Sequence, residues 1–594
     1  VEQFVTKFPR PHRYDSLNAH GQRLARIPRY ARLMARLPKI FFRDDQPISP
    51  AAIFWHAYTY ADDTHGDGRE ETGLLDDGLK AKEAKKLGIH GEEPDDHPDI
   101  TIRRWQVRLA LDMLSAIAFE MFCGQDGQGA SAPLYEVPSQ DNQSLHLDEF
   151  LIRSFNRLRT AHKQVGDREL YAYGNSLDDP IKDPNATKIR ADWKRLKAMD
   201  SHGLHYFVFS DATEMLKFND VSTQRFFATC WACRWANDAD RQMMRQWIPD
   251  PISDANNEYV EFWQMVAEMP EEAIDRKKWE SLLSPLYDGT LLTEDGKQIR
   301  STELIYRTWD RMEGTAACQR FQSEFAELLK TNRVAQDLVS GFISLGNKIH
   351  GEKVDDGAFE MGAPADECPE WDSKTRKVGG RDVVVQDNPV HRVSLKPYQL
   401  AATCVTNVEY ELFDDRHGSR REFEESAGEG RNVDEHPVVN VSWYDACCFA
   451  KWLGAVSIEG VRHEICLPTE AQWENACRCG QSTPFTWEAG RSGDKIESSY
   501  CNFDGNYPWA KPGTSAGSAG EYRAGTIGVD KLGPNPWGFY QMHGNVWEWC
   551  HDWYAEDYYD EPAADDDPQG PNQAMARVLR GGSWGSLGRY CRSG

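Results

Sequence analysis

Residues 535–549 read Asn535-Pro-Trp-Gly-Phe-Tyr-Gln-Met-His-Gly-Asn-Val-Trp-Glu-Trp549. Three tryptophans and two glycines stand among two asparagines and one carboxylate. The stretch is too aromatic for a solvated loop and too glycine-rich for a helix. Glycine allows backbone turns at positive φ and close approach of another segment. Tryptophan supplies large buried area with one polar handle. The expectation is a compact fold with little regular structure, organised around a bound cation.

Further blocks lie on either side of this stretch. Phe359-Glu-Met-Gly362, Pro389-Val-His-Arg-Val393 and Val405-Thr-Asn-Val-Glu-Tyr410 come first. Pro437-Val-Val-Asn-Val-Ser-Trp443 with Asp445-Ala446, then Leu467-Pro-Thr-Glu-Ala-Gln-Trp-Glu474, follow. Arg577-Val-Leu-Arg-Gly-Gly-Ser-Trp584 closes the series. In this order the blocks resemble the formylglycine-generating enzyme (sulfatase-modifying factor) domain. The resemblance implies a variant of the C-type lectin fold, rich in irregular loops.

The chain has 594 residues, 40% of them hydrophobic and 11% aromatic, which is enough for packed cores and about four domains. Its net charge of −26 makes it a poor binder of phosphate backbones, so no nucleic-acid partner is expected. No run of about 18 apolar residues suggests a membrane span. The 14 cysteines show no spacing of a small disulfide framework, which points to a reducing, cytoplasmic compartment. Cys230-x-x-Cys233 lies in a helical stretch without a second pair and reads as core packing.

Helical periodicity dominates the first 340 residues or so. Ile102, Trp105, Leu109, Met113, Ala116, Ile117 and Met121 form one apolar stripe. Leu24, Ile27, Ala31, Met34 and Leu37 form another, with arginines off it. Asp-Gly signals at Tyr287–Thr290 and Glu294–Lys297 suggest a small β element between helices. Leu216-Lys-Phe-Asn-Asp-Val-Ser-Thr-Gln-Arg-Phe-Phe-Ala-Thr229 is similar to a block near the winged-helix region of STAND (NACHT-type) signalling ATPases. Leu111–Met121 resembles an earlier helix of that region, and Arg23–Leu37 the helix after the nucleotide core. No G-x-x-x-x-G-K-[ST] phosphate loop occurs, so the resemblance implies a nucleotide core upstream of Val1 and no ATP hydrolysis by this stretch.

The resemblances also imply sites. A hard cation takes about six to eight oxygens, many of them carbonyls. The family's calcium ligands map onto Gln541, Gly544, Val546 and Glu548, and a second set onto Asn502, Phe503, Glu521 and Arg523. In the second set Glu521 stands where the family has Asp. The family's oxidases convert a substrate cysteine to formylglycine and hold Cu(I) with two cysteines five residues apart. Those positions are Ser586 and Cys591. A hydroxyl is a far poorer Cu(I) ligand than a thiolate, so copper is not expected and Cys591, the one catalytic candidate, reads as structural. Trp547, Ser583 and Tyr590 match residues lining the enzymes' substrate groove. Non-haem iron sulfoxide synthases share the domain order but need histidines four apart, and no two of the 17 are so spaced.

The expected fold is α+β. An all-helical region over 1–345 is followed by a linker at 346–357 and a C-type-lectin-like domain over 358–594, packed around Trp443, Trp473, Trp537, Trp547 and Trp584. The expected role is a ligand-binding or sensor module for a protein or peptide, attached to a STAND-type fragment that supports self-assembly. Related domains serve diversity-generating retroelements as variable proteins, which would make Gly585–Gly594 the variable surface. The alternative is an oxidase of the sulfatase-maturation type.

Overall fold

The computed structural model describes residues 49–59, 111–124, 136–138, parts of 150–161, 207–210, 215–218, 220–248, 259–292, 296–344 and, with short gaps, 358–594. The chain forms two compact units, Val1–Leu291 with Ile299–Ala317, and Leu292–Gln298 with Cys318–Gly594. Arg23–Leu37, Ile102–Leu109 and the 346–357 linker lie outside the described residues.

In the first unit, α1 (Pro50–Thr59), α2 (Val221–Arg234), α3 (Val260–Glu268), α4 (Arg276–Tyr287) and α5 (Thr302–Met312) surround an aromatic core. Asp220 starts α2 by accepting a hydrogen bond from the Thr223 N–H, as an N-cap residue should. Phe226, Phe227 and Trp231 of α2 are buried, and Phe226 stacks on Phe54 and Tyr58 of α1. Trp263 and Trp279 donate their indole N–H groups to the carbonyls of Trp247 and Val266 at 2.9 and 2.8 Å. Burying these rings therefore orphans no donor. Residues 111–122 are helical, and Met113, Ala116, Ile117 and Met121 of the stripe are buried. Cys230 and Cys233 are buried in α2, and burial pushes both thiols up.

The all-helical expectation needs correction. An antiparallel sheet of order β1-β3-β2 joins Glu136–Pro138 (β1), Phe207–Ser210 (β2) and Met215–Phe218 (β3). Leu216 and Phe218 are buried and Lys217 is half-buried, the alternation of a strand. Such a run is too short to stand out beside the longer helical periods around it. The Asp-Gly turn signals correspond to an antiparallel bridge between Leu292 and Gln298.

The second unit takes in residues ahead of 358. α6 (Ala316–Thr331) sets Phe325 against Trp452, whose indole donates to Glu324 at 2.9 Å. α7 (Arg333–Ser340) leads into β4 (Phe342–Ser344), which pairs with β7 (Gln399–Ala401). The sequence blocks become local structure in turn. Phe359-Glu-Met and His391-Arg-Val sit opposite each other in β5 (Ala358–Met361) and β6 (His391–Ser394). Ser442 with Asp445, and Thr469 with Gln472, are capping boxes that start α8 (Trp443–Leu453) and α9 (Glu470–Arg478). β8 (Glu548–Trp553) pairs with β9 (Arg577–Arg580), placing Glu548 opposite Arg580.

The described residues between 491 and 547 hold turns and isolated bridges but no helix or strand, as the glycine and aromatic pattern implied. Trp443 and Trp473 are buried, and Trp537 packs half-buried on the cluster of Trp473, Cys477, Phe539, Met542, Cys550 and Val578. Trp584 is also half-buried. Trp547 is the exception to the expected packing, with 42% of its surface exposed. It directly precedes Glu548 of β8, a half-buried residue, and so faces outward.

Candidate functional site

The Gln541–Glu548 turn is built on left-handed backbone. Gln541, Gly544 and Asn545 have φ of 53°, 97° and 68°. Gly544 admits no side chain, since a Cβ there would stand 2.3 Å from the Asn502 carbonyl oxygen. Its N–H donates to Gly581 O at 2.7 Å. Asn545 then joins three loops. Its N–H donates to Asn502 O at 2.7 Å, its Oδ1 accepts from Asn502 Nδ2 and Ile527 N, and its Nδ2 donates to Ile527 O. The Trp584 N–H closes the arrangement on Asn545 O at 2.9 Å. Asn545 was read from the sequence only as part of the turn and not as a site residue. An asparagine directly after a glycine at a turn is the signal that marks it.

The two candidate calcium sets therefore abut, through a parallel bridge between Asn502 and Gly544. In the first set, Glu548 Oε2 accepts from the Trp473 indole at 3.1 Å, while Oε1 is buried with no hydrogen-bond partner among the described residues. Burial pushes the Glu548 carboxyl up to about 7, with the Trp473 hydrogen bond and the Cys404 thiol pulling the other way. Glu548 Oε1 and the Val546 carbonyl oxygen each lie 3.6 Å from the point that a Cβ on Gly581 would occupy. An orphaned carboxylate oxygen and a carbonyl oxygen thus flank the space that a side chain on Gly581 would fill, while the Gly544 carbonyl of the same set accepts from the Val546 N–H at 3.0 Å. In the second set Asn502 and Phe503 are buried. Glu521 is turned to Arg523 at 2.8 Å with an exposed carboxylate, and Arg523 also donates to Ser498 O.

Cys591 is fully buried, and burial pushes its thiol up to about 12. It packs with Cys501, Phe485, Trp487, Ile496 and Phe503. Its Sγ lies so close to Gly582 that a Cβ there would be 2.6 Å away. The Ser586 hydroxyl accepts from the Ser583 N–H at 3.0 Å and shares a hydrogen bond with the Ser583 hydroxyl at 3.0 Å. One protonated thiol and one hydrogen-bonded hydroxyl do not fit a Cu(I) centre, which requires soft thiolates. Sequence reasoning also passed over His543. Its Nδ1 donates to Cys591 O at 2.7 Å and its Nε2 accepts from Thr486 N at 3.0 Å, an assignment that follows from the backbone partners. Burial lowers this imidazole to about 4, so it is neutral and structural.

Trp547 and Tyr590 are both exposed, at 42% and 37%. Ser583 is half-buried. Two further aromatics lie beside the 583–590 segment. Tyr522 packs against Trp584 with centroids 6.1 Å apart, and the Tyr507 carbonyl accepts from the Gly588 N–H.

Residues 352–594 match the model of the family described as the sulfatase-modifying factor enzyme 1-like domain. Over 216 residues the chain is 36% identical to a serine/threonine-protein kinase pkn1 of Chlamydia pneumoniae, covering 34% of this chain and 30% of that protein. Over 251 residues it is 32% identical to a formylglycine-generating enzyme of Streptomyces coelicolor, covering 34% of this chain and 73% of that enzyme. The solved structure of Treponema denticola variable protein 1 aligns with 26% identity and a TM-score of 0.26, over 37% of this chain and 91% of its own. The chain spans less than a third of the length of the chlamydial kinases it matches. No helix among the described residues is long and apolar enough to cross a membrane. Through residues 352–594, the chain belongs to the sulfatase-modifying factor family, whose members include formylglycine-generating enzymes.

Proposed function

We propose that residues 352–594 form a ligand-binding module that does not oxidise cysteine. The observation that carries this reading is the state of the two positions where the family's oxidases place copper cysteines. Ser586 is a hydroxyl held by Ser583, and Cys591 is a buried thiol. The ligand is a protein or peptide segment, met by Trp547, Tyr590 and Ser583 with Tyr507 and Tyr522 beside them. Exposed aromatic rings of this kind supply large contact area at small entropic cost. In this reading Gly585–Gly594 is the part of the surface that differs among retroelement-diversified copies. Residues 1–345 are the end of a STAND-type signalling ATPase, through which the protein self-assembles in the cytoplasm. A structural calcium ion sits at Glu548.

The test is selection of a displayed peptide library on the protein, with a Trp547→Ala/Tyr590→Ala double variant as the control. Peptides enriched on the unmutated protein and lost on the variant support the module. Equal enrichment on both, or none on either, sinks it.

A further inference from the structure

The second unit holds a cavity of about 420 Å3. Its floor is made of buried residues, Tyr410 with Phe449 and Leu453 of α8. Its rim carries exposed ones, Pro397, Cys466 and Trp547. The cavity therefore opens at the surface. Aliphatic and aromatic side chains predominate among the described residues that line it, and these include no Lys, Arg or His. Of its two carboxylates, Glu548 accepts from the Trp473 indole and Glu464 is exposed at the rim. The walls thus offer an occupant apolar contact and give a carboxylate no counter-charge.

Trp547 belongs both to this cavity and to the surface assigned above to a peptide. The backbone joins the two. The Trp584 N–H donates to Asn545 O at 2.9 Å, so the segment that carries Trp547 runs beside the one that carries Ser583. A peptide lying along Ser583 and Trp547 meets the mouth of the cavity. We propose that the peptide ligand seats one bulky apolar side chain, Phe, Trp or Leu, in this cavity past Trp547, and that this anchor sets its specificity. The inference rests on the peptide-binding reading. The volume falls within the range of about 300–1,000 Å3 of ligand pockets, far more than an Ala side chain fills. A small side chain would leave the walls without contact partners. An Asp or Glu side chain would lose its water and find no partner. Interfaces concentrate their binding energy in anchors of this kind, held in desolvated pockets.

The experiment selects a random displayed peptide library on the full chain and measures the selected peptides, made synthetically, by fluorescence anisotropy. They should share one position occupied by Phe, Trp or Leu. Ala at that position should weaken binding roughly tenfold or more, and Asp at least as much. Toluene and 3-methylindole, the free side chains of Phe and Trp, should compete with the peptides on the unmutated protein, and acetate should not. Ala446 and Leu467 line the cavity, and both are half-buried. Ala446→Phe and Leu467→Trp each fill it and should each weaken the peptides by the same order, with circular dichroism showing the fold retained. Selected peptides that share no apolar position, that toluene does not displace, or that a folded filled variant binds equally well overturn the anchor and leave the peptide surface standing. If selection yields no peptide that depends on Trp547 and Tyr590, the peptide-binding reading falls and the anchor falls with it.

Discussion

Ser583 and Ser586 are joined three times, backbone N–H to hydroxyl and hydroxyl to hydroxyl at 3.0 Å each, and the Ser586 N–H to the Ser583 carbonyl at 2.9 Å. The pair closes a tight turn whose next polar neighbour in sequence of any softness is Cys591. That thiol is buried and held protonated at neutral pH. Titration of the protein with Cu(I) against a competing chelator should show no stoichiometric high-affinity site, and a cysteine peptide should not be oxidised. Ser586→Cys should raise Cu(I) affinity by at least about tenfold, because two soft donors replace one. Peptide turnover by the unmutated protein would restore the oxidase reading.

Glu548 gives the calcium proposal a direct test. A ligand bound only by the native state stabilises it by about 2.7 kcal/mol at a hundred times its dissociation constant. For a unit of this size that is a rise of roughly 5–10 °C in melting temperature. Melts in calcium and in chelator should differ by this order for the unmutated protein. Glu548→Gln should abolish the difference, since only neutral dipoles would then face the divalent ion. Identical melts in both conditions would leave Glu548 as a buried carboxyl held by Trp473 and Cys404.

The same carboxyl sets a pH dependence, together with Asp552. Burial pushes both up to about 7, and the charge of Glu470 adds to the shift at Asp552. A carboxyl whose folded value lies above its unfolded one contributes stability that is complete below the unfolded value and is lost as pH rises through the folded one. In chelator, the melting temperature should therefore fall between about pH 4 and about pH 7. Glu548→Gln and Asp552→Asn should each flatten the fall. Calcium should flatten it too, since the ion binds the deprotonated form and its affinity rises over the same interval. A melting temperature that climbs across this range would show that neither carboxyl is shifted as the geometry implies.

Much of the second unit was legible because its information is local. Ser442 with Asp445 and Thr469 with Gln472 announce helix starts three residues apart, and Gly544 and Asn545 announce a left-handed turn. The arrangement that makes the candidate site is not local. Whether Glu548 meets Trp473, Arg580 or a cation depends on loops separated by dozens of residues. The structure assigns Trp473 as the hydrogen-bond donor. The outward turn of Trp547 was equally hidden, because an aromatic between an aliphatic residue and a half-buried carboxylate in an aromatic-rich block looks like core. In the first unit, helical period overshadowed the short strand Met215–Phe218, where only Leu216 and Phe218 carry the alternation.

Glu474 and Arg580 carry the last prediction. Glu474 lies wholly buried in α9 and is reached by Arg580 Nη2 at 2.6 Å, Arg478 Nε at 2.7 Å and the Gly362 N–H at 2.7 Å. Burial by itself would raise this carboxyl, but the two guanidinium groups and the backbone donor hold it below the ordinary carboxylate range. Its contribution is thus present above the unfolded value and lost as pH falls through the folded one, the opposite sign to Glu548. Glu474→Ala leaves two buried guanidinium groups facing an empty space. Breaking a buried pair from one side costs about 3–5 kcal/mol, far more than the net worth of the intact pair. Urea unfolding of the whole chain should show this loss in the transition of the second unit, and the melting temperature should drop by roughly 10 °C. Glu474→Gln keeps an acceptor for the Gly362 N–H and should cost less than Glu474→Ala. A loss under about 1 kcal/mol for Glu474→Ala, the range of a surface pair, would mean that water reaches the two arginines and the core there is not closed.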